Sequence, residues 1–255
     1  MLFDSHVHTR FSADSDMLAI DALDVAARQG IGLVFTEHID FDYPGNLDFT
    51  FVPQEYWRTY ETYRGHSLSL GAELGLAPGQ AERGQAFLAQ APFDEVIGSV
   101  HLLAGKDLYN ASSYEARSQQ TVYTEYYAAM AALIRENAFI DVLGHIDYIC
   151  RYAPYEQPGV HYELFREWID AVLQALIDTD TVLELNTRRF GDRLAMKELV
   201  AVYQRYYELG GRYVTLGSDA HAPQAIGAFF GLAQDFAAAC RLQPVTFRER
   251  QLTFL

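Results

Sequence analysis

Two pairs of residues with metal-binding side chains share the same spacing near opposite ends of the chain. His6 and His8 are separated by one residue, and so are Asp219 and His221; each pair follows a short apolar run. Residues two positions apart in a strand point to the same face, so each pair presents its side chains together. Imidazole and carboxylate groups on one face are suitable ligands for a divalent metal ion. We therefore predict that both pairs contribute to one metal site.

Three further histidines and one glutamate also stand at the ends of short apolar runs. They are His38, Glu73, His101 and His145. Six of the eight histidines thus occupy predicted strand ends, which disfavours the alternative that they are ordinary surface or core residues. The other two, His66 and His161, are interpreted as solvated residues of a loop or a helix. Imidazole and carboxylate ligands without thiolate suit zinc, manganese or iron.

The number of candidate ligands exceeds what one ion can coordinate, so the sequence predicts two or three divalent ions. Closely spaced metal ions are typical of sites that hydrolyse phosphate esters. They generate hydroxide at neutral pH and stabilise both the attacking and the leaving oxygen. A small-molecule phosphate ester is therefore the expected substrate.

The predicted elements that position these residues are seven strand–helix units. Strands are expected near residues 3–8, 31–35, 67–72, 95–100, 139–144, 181–185 and 213–216, and helices near 17–29, 53–63, 79–90, 118–137, 162–177, 194–209 and 222–239. Such alternation indicates an α/β fold with a parallel sheet, which right-handed crossovers close into a (β/α)7 barrel. An open doubly wound sheet is the alternative. The polar residues at every strand end favour the barrel, whose active sites form there. Residues 244–255 are expected to add a closing strand or a tail.

Composition predicts one domain over residues 1–255. Half of the residues are hydrophobic, and no linker or low-complexity tract divides the chain. The formal charge of −15 disfavours nucleic acid or an anionic membrane as a partner. Cys150 and Cys240 are expected to be core residues in a reducing compartment. No signal-peptide pattern and no apolar run of bilayer length occur, so a cytoplasmic location is expected. The sequence predicts no particular oligomeric state.

Six motifs, in this order, resemble the polymerase-and-histidinol-phosphatase (PHP) superfamily, and most of all its histidinol-phosphate phosphatase branch. They are DSHVHTRFSAD at 4–14, TEH at 36–38, GAEL at 71–74, GSVH at 98–101, GHID at 144–147 and GSDAH at 217–221. The resemblance extends from Phe3 to about Gly227. It implies a distorted seven-stranded barrel with a trinuclear metal centre at its mouth.

The resemblance also implies a distribution of the ligands over three metal ions. The first ion would be bound by His6, His8, Glu73 and Asp219. Glu73 would bridge to a second ion that His101 and His145 complete, and a third would be bound by Asp14, His38 and His221. Many members have histidine at the position of Asp14, which without the resemblance would be interpreted as an ordinary loop residue.

Arginines are the expected ligands of the phosphate group, since a guanidinium binds phosphate with two parallel hydrogen bonds. Arg151 follows the fifth predicted strand, and Arg188 and Arg189 follow the sixth. The family resemblance supports one arginine in each loop. Its usual NT-x-G-x-R pattern is shortened here to NTRRF, which leaves two candidates, of which Arg188 is favoured. The hypothesis is that a hydroxide bridging the metals attacks phosphorus while the arginines stabilise the developing charge.

Three functions are compatible with these residues. The favoured one is a histidinol-phosphatase, which hydrolyses L-histidinol phosphate in histidine biosynthesis. The second is a PHP phosphoesterase for another substrate, such as a nucleotide bisphosphate or an oligonucleotide end; the long segment 40–64 and the insertion around 105–127 disfavour it. The third is a metal-binding module without turnover, which the complete ligand set disfavours.

Overall fold

The computed structural model describes all residues from 1 to 255 and contains a sheet of nine strands together with a separate two-stranded hairpin. The strands are β1 (Phe3–Val7), β2 (Gly32–Ile39), β3 (Leu68–Gly75), β4 (Val96–Ser99), β5 (Leu102–Leu103), β6 (Lys106–Asp107), β7 (Val142–Leu143), β8 (Val182–Asn186), β9 (Tyr213–Gly217), β10 (Gln243–Arg248) and β11 (Gln251–Phe254). The strand order in the large sheet is β1-β2-β3-β4-β7-β8-β9-β10-β11, and β5 pairs with β6.

Eight α-helices connect or flank these strands. They are α1 (Ala19–Gln29), α2 (Pro53–Tyr60), α3 (Ala81–Leu88), α4 (Gln119–Glu136), α5 (Ile149–Tyr152), α6 (Tyr162–Asp178), α7 (Arg193–Leu209) and α8 (Phe230–Ala239). The ends of these helices follow from local sequence. The α1 helix stops at Gly30, whose φ of 69° is accessible without strain because glycine has no Cβ. The α7 helix begins at Asp192, whose carboxylate accepts hydrogen bonds from the N–H groups of Leu194 and Ala195.

The predicted barrel closes through the segments that carry the two ligand pairs. Strands β1, β2, β3, β4, β7, β8 and β9 are parallel neighbours. The chain after β9 returns to β1: the N–H of His8 donates to the carbonyl of Ala220 at 2.9 Å, and the N–H of Ala220 donates to the carbonyl of His6 at 3.2 Å. The distorted (β/α)7 barrel is therefore confirmed, and the open doubly wound sheet is excluded.

The C-terminal segment forms the expected additional strand. The β10 strand pairs in parallel with β9 through Gln243 and Pro244, and then turns into the antiparallel strand β11. Most of the apolar core, a cluster of 62 buried residues, includes Val7 near the start of the chain and Leu242 near its end. A smaller cluster is formed by Ile97, Val142, Val182, Val245 and Phe247. Since Glu73 pairs in register with Ile97, this cluster and the glutamate share the inner face of the sheet.

Two predicted elements differ from the structure. The helix expected over 222–239 is interrupted: a short 3₁₀ turn (Pro223–Ala225) is followed by Gly227 and Phe229, whose φ values of 64° and 61° are not helical, and α8 begins only at Phe230. The fifth predicted strand is reduced to the two residues of β7, and the chain turns at once into the site loop. No helix is both long and apolar enough to cross a membrane.

Candidate metal centre

All nine predicted metal ligands lie at the end of the barrel where the parallel strands finish. His6, His38 and Glu73 belong to β1, β2 and β3, whereas His8, His101, His145, Asp219 and His221 occupy the loops directly after strands, and Asp14 lies in the loop before α1. Parallel strands bring their carboxyl ends to one edge, which explains why residues 215 positions apart meet (221 minus 6). His66 is exposed, and His161 is partly exposed at the start of α6, so neither belongs to the group.

Glu73 is the central residue of the group. Its Oε1 atom lies 2.9 Å from Nε2 of His145 and 3.2 Å from Nε2 of His101. Its Oε2 atom lies 2.9 Å from Nδ1 of His38 and 3.3 Å from Nε2 of His6. The two oxygens of one buried carboxylate thus face two different sets of imidazoles, a geometry suitable for bridging two cations.

A second carboxylate, Asp219, faces the remaining histidines. Its Oδ1 atom lies 3.6 Å from Nε2 of His8 and 3.6 Å from Nδ1 of His221. Asp14 completes this side, with Oδ2 at 3.2 Å from Nε2 of His221 and at 3.5 Å from Nε2 of His38. The aspartate that was predicted only from the family resemblance therefore lies beside the two histidines with which it was grouped.

The ligand atoms form four overlapping sets of three, and the atoms within each set lie within 4.8 Å of one another. The sets are His6, Glu73 and His145; His6, His8 and Asp219; His8, His38 and His221; and His38, Asp40 and His101. Several buried atoms at the centre make no hydrogen bond of suitable geometry, although some of them lie close together, as Nδ1 of His38 and Oε2 of Glu73 do at 2.9 Å. These atoms are Nε2 of His6, Nε2 of His8, Nδ1 of His38 and Oε2 of Glu73. Buried polar atoms without partners are costly. A set of nitrogens and carboxylate oxygens in this arrangement fits divalent cations.

A second layer of polar residues holds the far side of three imidazoles. The Nδ1 atom of His6 lies 2.6 Å from Oε1 of Glu184, and Nδ1 of His101 lies 2.9 Å from Oδ1 of Asp40. The Nδ1 atom of His8 lies 3.0 Å from Oγ of Ser12, which donates to Glu37. A proton on Nδ1 leaves the lone pair of Nε2 directed at the centre, which is the form that binds metal.

Sequence reasoning missed these supporting residues as functional groups. Glu184 stands inside an apolar run, between Leu183 and Leu185, and Glu37 stands between Thr36 and His38, just after the apolar run that ends at Phe35. A carboxylate within a buried strand is uncommon and needs a partner, so its position was an available signal. Asp40 and Ser12 lie in loops and carried no such signal.

Charge and burial have opposing effects on the site. Burial raises the pKa of Glu73, but the surrounding histidines, His6 and His38 foremost, outweigh it and hold the pKa well below its usual range. Burial lowers the pKa of His6, yet Glu184 and Glu73 raise it well above the usual value. In His8, burial and the imidazole of His38 both lower the pKa, which keeps the ring neutral. The carboxylates thus stay ionised and provide the negative charge that bound cations would offset.

The three candidate arginines have different surroundings. Arg151, in α5, is almost fully buried and donates to Oδ2 of Asp219 at 2.5 Å and to Asn186. Arg188 is 43% exposed and donates to the backbone carbonyl of Asp219 at 2.8 Å. Arg189 turns away and donates to Asp147 at 3.1 Å. Arg151 and Arg188 line the same cavity as the metal-site residues, whereas Arg189 does not.

That cavity has a volume of about 410 Å³. Metal-site residues and the two arginines form its polar part, and the remaining wall is formed by Tyr43, Leu47, Phe49, Asp107, Tyr109, Tyr148 and Tyr152. A cavity of this size suits a small ligand with a polar group at one end and a flat or apolar group at the other.

Comparison with known proteins agrees with this geometry. The PHP domain family model matches residues 4–188. A probable histidinol-phosphatase of Clostridium acetobutylicum is 39% identical over 254 residues, which covers 100% of both chains. The histidinol-phosphatase of Lactococcus lactis is 31% identical over 225 residues, covering 86% of this chain and 83% of the relative. The crystal structure of the Lactococcus lactis histidinol phosphate phosphatase, complexed with zinc, L-histidinol and phosphate, matches with a TM-score of 0.93 and 28% identity over 98% of both chains.

Proposed function

This chain belongs to the PHP family, and from that membership together with its site geometry we propose that it is a histidinol-phosphatase, which hydrolyses L-histidinol phosphate to L-histidinol and phosphate. The observation that supports the proposal is the composition of one cavity. It is lined by imidazoles and carboxylates, by two arginines and by several aromatic side chains. Metal ligands and guanidinium groups suit a phosphate ester, and aromatic rings suit the flat imidazole of the alcohol.

We assign nine residues as metal ligands from the positions of their side-chain atoms. Two to three divalent ions, zinc, manganese or iron, would be held by His6, His8, Asp14, His38, Glu73, His101, His145, Asp219 and His221. The buried ligand atoms that make no hydrogen bond of suitable geometry and the two-sided position of Glu73 support this assignment. When bound, such ions supply Lewis-acid stabilisation of the phosphoryl oxygens and activate water as the nucleophile.

The residues of the chain contribute orientation and charge. Arg188 is partly exposed in the cavity, where its guanidinium is available to a phosphate oxygen and would neutralise part of its charge. Arg151 is fixed by Asp219 and Asn186, so its position is set before a substrate enters. Glu184, Asp40 and Ser12 hold the imidazoles that face the centre.

The test is phosphate release from L-histidinol phosphate, measured beside a panel of other phosphomonoesters that includes a nucleotide bisphosphate. We expect L-histidinol phosphate to have the highest kcat/KM. Activity should be lost after treatment with a chelator and restored by adding back a divalent ion. A preference of orders of magnitude for another ester would contradict the substrate, and full activity after verified removal of all metal would contradict the reaction type.

A further inference from the structure

Asp107 stands where two rows of aromatic side chains in the cavity meet. One row runs from His38 to Phe49 (ring centroids 5.4 Å apart) and on to Tyr43 (4.5 Å), whose hydroxyl donates to Asp107 at 2.6 Å. Asp107 lines the same cavity as the metal-site residues.

The second row begins on the other side of the metal centre. Tyr148 packs against His145 (centroids 4.9 Å apart), Tyr152 against Tyr148 (5.2 Å) and Tyr109 against Tyr152 (4.9 Å). The backbone N–H of Tyr109 donates to Asp107 at 2.9 Å. The aspartate is thus fixed at the junction of both aromatic walls.

The charge of Asp107 lacks a cationic partner. The residue is only 4% exposed, and its carboxylate accepts hydrogen bonds from the hydroxyl of Tyr43, the side-chain amide of Asn110 and the N–H of Tyr109, all of which are neutral. No Lys, Arg or His nitrogen lies within 4.0 Å of it. A carboxylate has room for about four hydrogen bonds, so one position stays open.

The other acidic residues that line the cavity differ from Asp107 in this respect. Asp40 pairs with His101, Asp219 with Arg151, and Asp14 with His221. Buried ionised groups are stable when paired with an opposite charge. A cation brought by the ligand would provide that pair.

We propose that Asp107 is a specificity-determining residue that binds the ammonium group of the substrate. The proposal rests on the proposed function, since L-histidinol phosphate carries an ammonium group on the carbon next to its phosphorylated CH₂. The N–H of Leu108, the residue after Asp107, donates to the carbonyl of His101 at 3.0 Å, so the backbone beside Asp107 contacts a metal-site loop. The phosphate and the ammonium group of the ester would then lie in the one cavity that the metal-site residues and Asp107 share.

The test compares two esters that differ only in the ammonium group. They are L-histidinol phosphate and its deamino analogue, 3-(imidazol-4-yl)propyl phosphate, assayed with the metal-loaded wild type and with Asp107→Asn. We expect Asp107→Asn to lower kcat/KM for L-histidinol phosphate about 10- to 100-fold, mainly through KM, because a charge-assisted hydrogen bond is lost. The deamino ester should change less than about twofold, since its uncharged propyl chain gains nothing from the carboxylate.

Asp42→Asn is the matched control. Its carboxylate is exposed, pairs with Arg83 and does not line the cavity, so the same change of charge should leave the ratio of the two esters unaltered. An equal loss for both esters would assign Asp107 a merely structural role and overturn the proposal, as would no loss for either.

Measurements on the wild type alone also decide the matter if Asp107→Asn does not fold. L-Histidinol should inhibit at least about tenfold more tightly than 3-(imidazol-4-yl)propan-1-ol, because only the former has the cation. Equal inhibition would overturn the proposal. The comparison of L-histidinol with 3-(imidazol-4-yl)propan-1-ol measures only the preference for an ammonium group. The panel of phosphomonoesters described above tests separately whether the protein is a histidinol-phosphatase.

Discussion

His6 is held between two buried carboxylates that act on different ring nitrogens. Its Nδ1 atom is 2.6 Å from Glu184, and its Nε2 atom is 3.3 Å from Glu73. Glu184 also accepts the backbone N–H of His145 at 2.6 Å. Glu184, which is not among the predicted metal ligands, thus orients the imidazole of His6 and the backbone of His145.

Glu184→Gln should weaken metal binding without unfolding the protein. The amide retains one acceptor oxygen, which cannot serve both Nδ1 of His6 and the N–H of His145, and it no longer stabilises the protonated Nδ1 electrostatically. We expect the apparent metal affinity to fall about 10- to 100-fold, as for other supporting residues of metal sites. Competition with a chelator, followed by elemental analysis, measures it. Glu55→Gln, on the exposed face of α2, is the control; equal affinities of both variants would refute this role.

Removal of Arg188 should affect substrate binding, whereas removal of Arg189 should affect the stability of the fold. Arg188→Ala should raise KM for the phosphate ester about 10- to 100-fold with unchanged metal content, because a charged hydrogen bond to phosphate is lost. Arg189→Ala should have little effect on KM but should lower the free energy of unfolding by about 1 to 3 kcal/mol, because Asp147 loses its partner. Steady-state kinetics and urea unfolding of both variants separate the two roles. The opposite pattern would make Arg189 the phosphate ligand.

At the scale of the elements, an acidic residue without a polar partner is buried at the start of β4. Glu95 is fully buried directly before β4, and neither of its carboxylate oxygens has a hydrogen-bond partner. Burial, together with the charges of Asp141 and Glu184, raises the pKa of Glu95 well above its usual value. Because the folded state then holds a proton that the unfolded chain has released, stability falls as pH rises above the usual range of a glutamate.

Glu95→Gln should therefore stabilise the protein increasingly as pH rises. The neutral amide avoids the cost of ionising a buried carboxyl, so the difference in unfolding free energy between the variant and the wild type should grow from about pH 5 to about pH 8. Urea unfolding of both proteins at several pH values measures this difference. The titration of other groups affects both proteins alike and therefore cancels in the difference. Glu82→Gln, on the exposed side of α3, should show no such trend. A difference independent of pH would mean that Glu95 keeps its usual titration.

The elements that sequence predicted well are those in which one physical signal dominates. The strand-end histidines are visible because apolar runs stop at them, and α1 is visible because a helical pattern ends at Gly30. The start of α8 was predicted eight residues too early, because Phe229 adopts a left-handed conformation that its residue type does not signal. Asp40 and Asp107 lie in loop or hairpin positions, where only three-dimensional neighbours reveal the role of a carboxylate.

At the scale of the whole molecule, the two ends of the chain depend on each other. The loop after β9 closes onto β1, and one apolar cluster includes residues from both ends of the chain. The metal ligands come from the same distant segments, and the chain carries a formal charge of −15. Bound cations would reduce this charge where carboxylates are closest together, and would link the strand ends directly. We propose on these grounds that residues 1–255 form a single domain whose stability depends on metal.

This proposal predicts one cooperative unfolding transition that moves to lower temperature when metal is removed, because ions that bind only the folded state stabilise it. The two tryptophans report on different parts of the chain, Trp57 in α2 and Trp168 in α6. Trp57→Phe and Trp168→Phe each leave one fluorescent reporter. In each variant, fluorescence and far-UV circular dichroism should give coincident melting curves, with or without chelator. Two midpoints, or a shift confined to one reporter, would show that the N-terminal and C-terminal halves unfold separately and that the metal site stabilises only one of them.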